Sequence, residues 1–136
     1  MAMFFIVIVL GALATESCLA PSFESELPDP LEAGWKGKDV CEILEEDEMQ
    51  RILRCTFGPG EGHERHFHRP HAGYTLVGGR MRITDGKGTR VVEAPGGHAW
   101  TSNGIPWHEV ENIGDTTAVY LIFEAKRSGR APVLPE

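Results

Sequence analysis

The chain has 136 residues, 41% of them hydrophobic, with 20 acidic side chains against 13 Lys and Arg and a formal net charge of −7. That length suits one domain that buries its own core and is short for two, and the acidic balance lacks the clustered basic footprint of a nucleic-acid binder. Sixteen Gly and nine Pro spread along the chain point to short elements joined by tight turns, an all-β class.

Residues 1–20 hold an apolar run, Met1 to about Leu13, followed by small residues. The run is short for a bilayer span and reads as a secretory leader, although no Lys or Arg precedes Lys36. Export would place the protein outside the cell or in a periplasm, with no stable membrane anchor in its mature form; the alternative is a cytoplasmic chain with a mis-assigned start. Residues 21–38 are rich in Pro, acid and Gly without a period of two or 3.6, so an extended arm is expected, with Trp35 anchoring it on the outside of the domain or at a subunit contact.

From Asp39 to Lys126 the pattern becomes a series of short β-like runs. Val40–Glu45 and Gln50–Phe57 flank a turn-prone acidic segment and form a hairpin in which Cys41 and Cys55 lie nearly opposite. A disulfide is then within reach if the register permits, and export would favour it. Asp85-Gly86 marks a second hairpin, because the turn wants positive φ. About eight strands are expected and no amphipathic helix, which gives a small antiparallel barrel or sandwich. Residues 127–136 read as a polar tail.

The chemistry concentrates in Gly62–Gly79, which carries His63, His66, His68 and His71. In a strand, residues two apart share a face, so His66 and His68 project together while Phe67 points away. Two imidazoles on one barrel face can share a metal, and His108, on a later strand, is the candidate third ligand. The alternative is a pair of polar interior residues without a metal. Arg65, Arg69, Glu109 and Glu111 fall on the outward phase and read as solvated or ion-paired. His63 and His98 are expected at the surface or in ordinary hydrogen bonds.

Residues 40–126 resemble the cupins, whose double-stranded β-helix or jelly-roll barrel carries two short motifs. Gly60, His66, His68 and Gly78 hold the frame of the first, with His71 standing seven positions before Gly78 where Glu is usual and the intervening loop shortened. Gly97, His108 and Asn112 hold the frame of the second, while Asn103 and Ile105 replace its Pro and Gly. The resemblance implies an all-β cupin-like barrel in which His66, His68 and His108 bind a divalent transition metal such as Fe, Mn, Ni or Zn. His71 would be either a fourth ligand or a near neighbour turned inward by an irregular connection at Arg69-Pro70. A three-histidine site resembles those of some Fe(II) dioxygenases.

Two functions remain open on this reading. One is a metal-dependent oxygenase, or an isomerase or lyase, acting on a small molecule; the other is a metal or small-ligand binding or storage module without turnover. A homodimer is expected, with the arm crossing to cover a neighbour's edge strand.

Overall fold

The computed structural model describes residues 26–126; the expected leader over 1–20, the first residues of the arm and the tail over 127–136 lie outside that range. In chain order the strands are β1 Gly34–Trp35, β2 Lys38–Asp39, β3 Cys41–Glu46, β4 Gln50–Phe57, β5 Gly62–His68, β6 His71–Val77, β7 Gly79–Asp85, β8 Gly88–Ala94, β9 Ala99–Ser102, β10 Ile105–Asn112 and β11 Ala118–Ala125. Among the described residues there is no helix, and therefore none long and apolar enough to cross a membrane.

The strands form a four-stranded sheet in the order β5-β10-β7-β8 and a five-stranded sheet in the order β3-β4-β11-β6-β9, beside the small ladder of β1 with β2. Every pairing is antiparallel. The inner faces enclose the interior, which gives the expected jelly-roll barrel of the cupin type.

Both hairpins form where expected, but in the second the positive φ falls on Gly88, at 110°, and not on Gly86. The Asp47 carboxylate accepts hydrogen bonds from the Met49 and Gln50 amides at 2.7 and 2.9 Å, a side chain closing its own turn. Asp85 does the same for Lys87 N at 2.9 Å between β7 and β8. The two motif glycines Gly60 and Gly97 adopt φ of 76° and 82°, which a side chain would resist. Motif residue Asn112 is fully buried and ties three segments together: its amide donates to Phe57 O and Thr116 O, and its oxygen accepts from Gly114 N.

The apolar core contains Val40, Leu53, Phe57, Met81, Ala118 and Ile122 with the disulfide of Cys41 and Cys55, which stand opposite one another in the β3/β4 register. Trp35 anchors the arm on the domain, one of the two places expected for it. The arm folds back on its own barrel: Pro28 O accepts from Phe67 N, and the Trp35 ring packs over the core and close to Gly62.

A link across 14 residues of sequence removes loop entropy from the unfolded chain worth about 3 kcal/mol. The oxidised protein should exceed the Cys41→Ala/Cys55→Ala double variant by about 2 to 4 kcal/mol in urea unfolding. A difference below about 1 kcal/mol would show that the bond closes a loop already ordered in the unfolded state.

Candidate metal centre

β5 supplies His66 and His68, and the adjacent β10 supplies His108, directly opposite His66 in register. The three rings turn into the barrel, and their ligand atoms all lie within 4.8 Å of one another. His66 Nε2 is 3.0 Å from His68 Nε2 and 3.0 Å from His108 Nε2. His66 Nδ1 donates to Glu64 O at 2.6 Å, which fixes the tautomer and leaves Nε2 as a bare lone pair. One lone pair faces two other ring nitrogens at hydrogen-bond distance and can satisfy at most one of them as acceptor. A cation bound by all three removes the conflict, so the residues present fit a divalent metal.

The electrostatics agree. Burial, reinforced by the neighbouring imidazoles, pushes His66 and His68 far below the usual histidine range. Burial also lowers His108, to about 4. Neutral imidazole is the form a metal takes.

His68 is set from behind. Its buried Nδ1 has no well-aligned hydrogen-bond partner among the described residues, and the nearest acceptor is Glu124 Oε1 on the opposite sheet, at 3.5 Å. Glu124 is itself fully buried. Its Oε2 accepts from Arg51 Nε and Nη2 at 2.9 and 2.6 Å, and its Oε1 from Arg69 N at 3.1 Å. Arg51 Nη2 also donates to Asp29 of the arm at 2.9 Å.

His71 is buried but stands apart from the converging group, with its ring centroid 4.7 Å from that of His68 and its Nδ1 donating to Arg69 O at 2.8 Å. The irregular connection at Arg69-Pro70 exists: there the chain leaves the four-stranded sheet and enters the five-stranded one. His71 pairs across that second sheet with Glu124 and Ser102, and it does not border the cavity described below.

Of the two placements expected for His63, the surface fails and ordinary hydrogen bonds hold. His63 is 2% exposed, stacks on His66 with centroids 3.7 Å apart, and its Nε2–H is shared between Pro30 O and Ala33 O at 3.0 and 3.1 Å. His63 and His66 on β5 face Val110 and His108 on β10, three positions against two, and this bulge rotates His63 to the inner face. His98 is exposed, as expected, and stacks on Trp100. Arg65 points outward with its guanidinium 3.8 Å from the Trp107 ring centroid, and Glu111 pairs with Arg82 at 2.6 Å.

A cavity of about 910 Å³ opens beside the three imidazoles. Its wall includes Phe57, Met81, Ile83, Trp100, Tyr120 and Ile122. Trp100 lies flat over β6 because Gly73 opposite has no side chain; a Cβ there would come within 2.1 Å of the indole.

Fold and site together define a cupin-type barrel whose three-histidine group can hold a metal ion. Solved structures agree on the fold. A cupin domain from Bordetella pertussis Tohama I is 20% identical, with a TM-score of 0.62 over 69% of this chain and 95% of that one. The polyketide cyclase RemF from Streptomyces resistomycificus is 19% identical, with a TM-score of 0.56 over 79% and 75%. A Klebsiella pneumoniae protein with a double-stranded β-helix domain is 17% identical, with a TM-score of 0.53 over 69% and 83%. No family model matches the sequence, and no curated protein matches it at a significant level.

The lowered histidines imply an acid-sensitive metal-free protein. His63, lowered to about 4 by burial, and His108, also about 4, take up protons near 6.5 when unfolded and only near 4 when folded. The unfolded state therefore binds more protons between those values, so stability rises with pH across the window and is lost as pH falls through it. Urea unfolding of metal-free protein at pH 4.5, 5.5 and 7.5 should give a steadily rising free energy. A flat profile would mean that these rings are not desolvated.

Proposed function

We propose that the protein is a metal-dependent enzyme of the dioxygenase type that acts on a small organic molecule held in the barrel cavity. The observation that carries this reading is the convergence of three neutral imidazole nitrogens, from His66, His68 and His108, at the wall of a cavity large enough for a substrate. Three protein ligands leave positions open to other molecules, which favours turnover over the closed shell of a storage site. A redox-active divalent ion held there would supply the electron transfer to dioxygen that such a reaction requires. The chain's own part is to orient the ligands through the Glu64 carbonyl and Glu124, and to line the reacting space with apolar side chains that keep water out. RemF is a cyclase on the same fold, which supports catalysis as a use of this barrel and leaves the reaction type to experiment. The disulfide of Cys41 and Cys55 supports an exported protein, since such bonds persist in oxidising compartments.

Untagged protein should retain close to one equivalent of transition metal by elemental analysis. His66→Ala and His108→Ala should abolish retention, whereas His71→Ala should leave most of it. Wild type without metal affinity would overturn the reading. Metal-loaded protein that consumes no oxygen with a panel of phenols, diketones and aliphatic alcohols would remove the dioxygenase reading and leave turnover without oxygen, or binding alone.

Glu124 provides a second check. Partners behind metal-binding histidines typically govern affinity by about 10- to 100-fold. Glu124→Gln should therefore weaken zinc binding by at least about tenfold in competition with a chelator, measured on protein verified as folded by circular dichroism. Unchanged affinity would make Glu124 a purely structural partner of Arg51.

A further inference from the structure

We propose that the cavity takes an uncharged, mainly apolar, ring-bearing molecule whose hydroxyl or carbonyl group is held by the Thr75 and Tyr120 hydroxyls. The inference deepens the metal-enzyme reading by naming its substrate class. It stands on the cavity wall, which exists whether or not a metal is bound.

Thr75 is fully buried and borders the cavity, yet its Oγ1 has no hydrogen-bond partner among the described residues. Tyr120 borders the same cavity, and its buried hydroxyl also lacks one. The two residues are direct register partners on β6 and β11, so they form one neighbouring pair on one wall. Leaving a buried hydroxyl unmet costs about 1 to 3 kcal/mol, a penalty that a ligand oxygen placed between the two would relieve. Burial pushes the Tyr120 phenol above its ordinary value, so it remains a proton donor at neutral pH.

The rest of the lining sets the body of the ligand. Ile83, Val92, Trp100, Ile105 and Trp107 present branched aliphatic and indole surface, and a volume of about 910 Å³ accommodates a drug-sized molecule. Charge is disfavoured because the cations nearest the interior are already committed. Buried Arg51 is held by Glu124 and Asp29, and Arg90 at the cavity mouth pairs with Asp85 at 2.8 Å. The one other cation of the wall, Lys87, is exposed at the β7–β8 turn, so a small dicarboxylate entering the interior would lose water without meeting an unpaired cation there.

Equilibrium dialysis of metal-free, full-length protein against 2-naphthol, 2-methylnaphthalene and malonate tests this. Methylnaphthalene has the shape of naphthol without the oxygen. Naphthol should bind about fivefold or more tighter than methylnaphthalene and at least about tenfold tighter than malonate. Thr75→Val and Tyr120→Phe should each weaken naphthol by about five- to tenfold and leave methylnaphthalene within about twofold. Neither variant should lower the thermal midpoint, because neither hydroxyl has a partner to lose. Tighter binding of malonate, variants that bind naphthol like wild type, or a midpoint lowered by both substitutions would overturn the proposal. Zinc retention is measured separately: its failure alone removes the metal reading, and failure of the naphthol pattern in zinc-binding protein removes the substrate class alone.

Discussion

Three imidazoles that present Nε2 to a common point inside a barrel must each carry the proton on Nδ1, and in a water-poor interior that N–H requires an acceptor of its own. For His66 the acceptor is local, the Glu64 carbonyl two residues back on the same strand. For His68 it must come from across the barrel, and Glu124 is the group that faces it. A lone buried carboxylate would be driven to protonate, and a protonated acid is a poorer acceptor. Arg51 gives Glu124 two hydrogen bonds and an opposite charge, and Asp29 pairs with Arg51 in turn. Asp29 belongs to the arm, whose Pro30 and Ala33 carbonyls also receive the His63 ring that lies against His66. The arm is thus part of the machinery that orients two of the three converging histidines, His66 and His68.

This chain of dependence divides the interior into rows. Across the inner face of the five-stranded sheet, Arg51, Glu124, His71 and Ser102 are successive register partners on β4, β11, β6 and β9, a polar row at one end of the barrel. The next row along is Leu53, Ile122, Gly73 and Trp100, and the one beyond contains Cys55, Tyr120 and Thr75. Polar groups that orient the ligands are therefore separated from the cavity's hydroxyl pair by an apolar row. On the opposite sheet His66, His108 and Asp85 form a corresponding row across β5, β10 and β7. The three-histidine group lies where a polar row on one sheet meets a polar row on the other.

Much of this was legible because a strand's period of two survives in the sequence. The phase of His66 and His68, the hairpin that pairs Cys41 with Cys55, and the Asp85-Gly86 turn all follow from local rules and hold. His63 escaped because the bulge in β5 breaks the alternation between it and His66, and a bulge depends on what lies opposite. Arg51 and Glu124 did carry a signal: each is in phase with its strand's buried residues, Leu53 and Cys55 for one, Ile122 for the other. A charge in core phase near a strand end reads as the strand emerging into solvent unless its partner is known, and the partner here is 73 residues away. Asp29 sits in an aperiodic segment and had no signal at all.

The replacement of the motif's usual Glu by His71 changes where negative charge resides. A carboxylate ligand would place its charge directly on the ion. Here Pro70 carries the chain to the other sheet, and His71 ends beside Glu124 in the polar row instead of in the ligand group. The nearby carboxylate, Glu124, acts from behind His68, and Arg51 already neutralises much of its field. An ion held by His66, His68 and His108 alone would keep nearly its full positive charge toward the cavity. Such an ion polarises an oxygen ligand strongly without counter-charge from the wall. Such an ion would take an oxygen donor, and an oxygen donor is also what the Thr75 and Tyr120 hydroxyls, unpartnered among the described residues, would hold on the other side of the cavity.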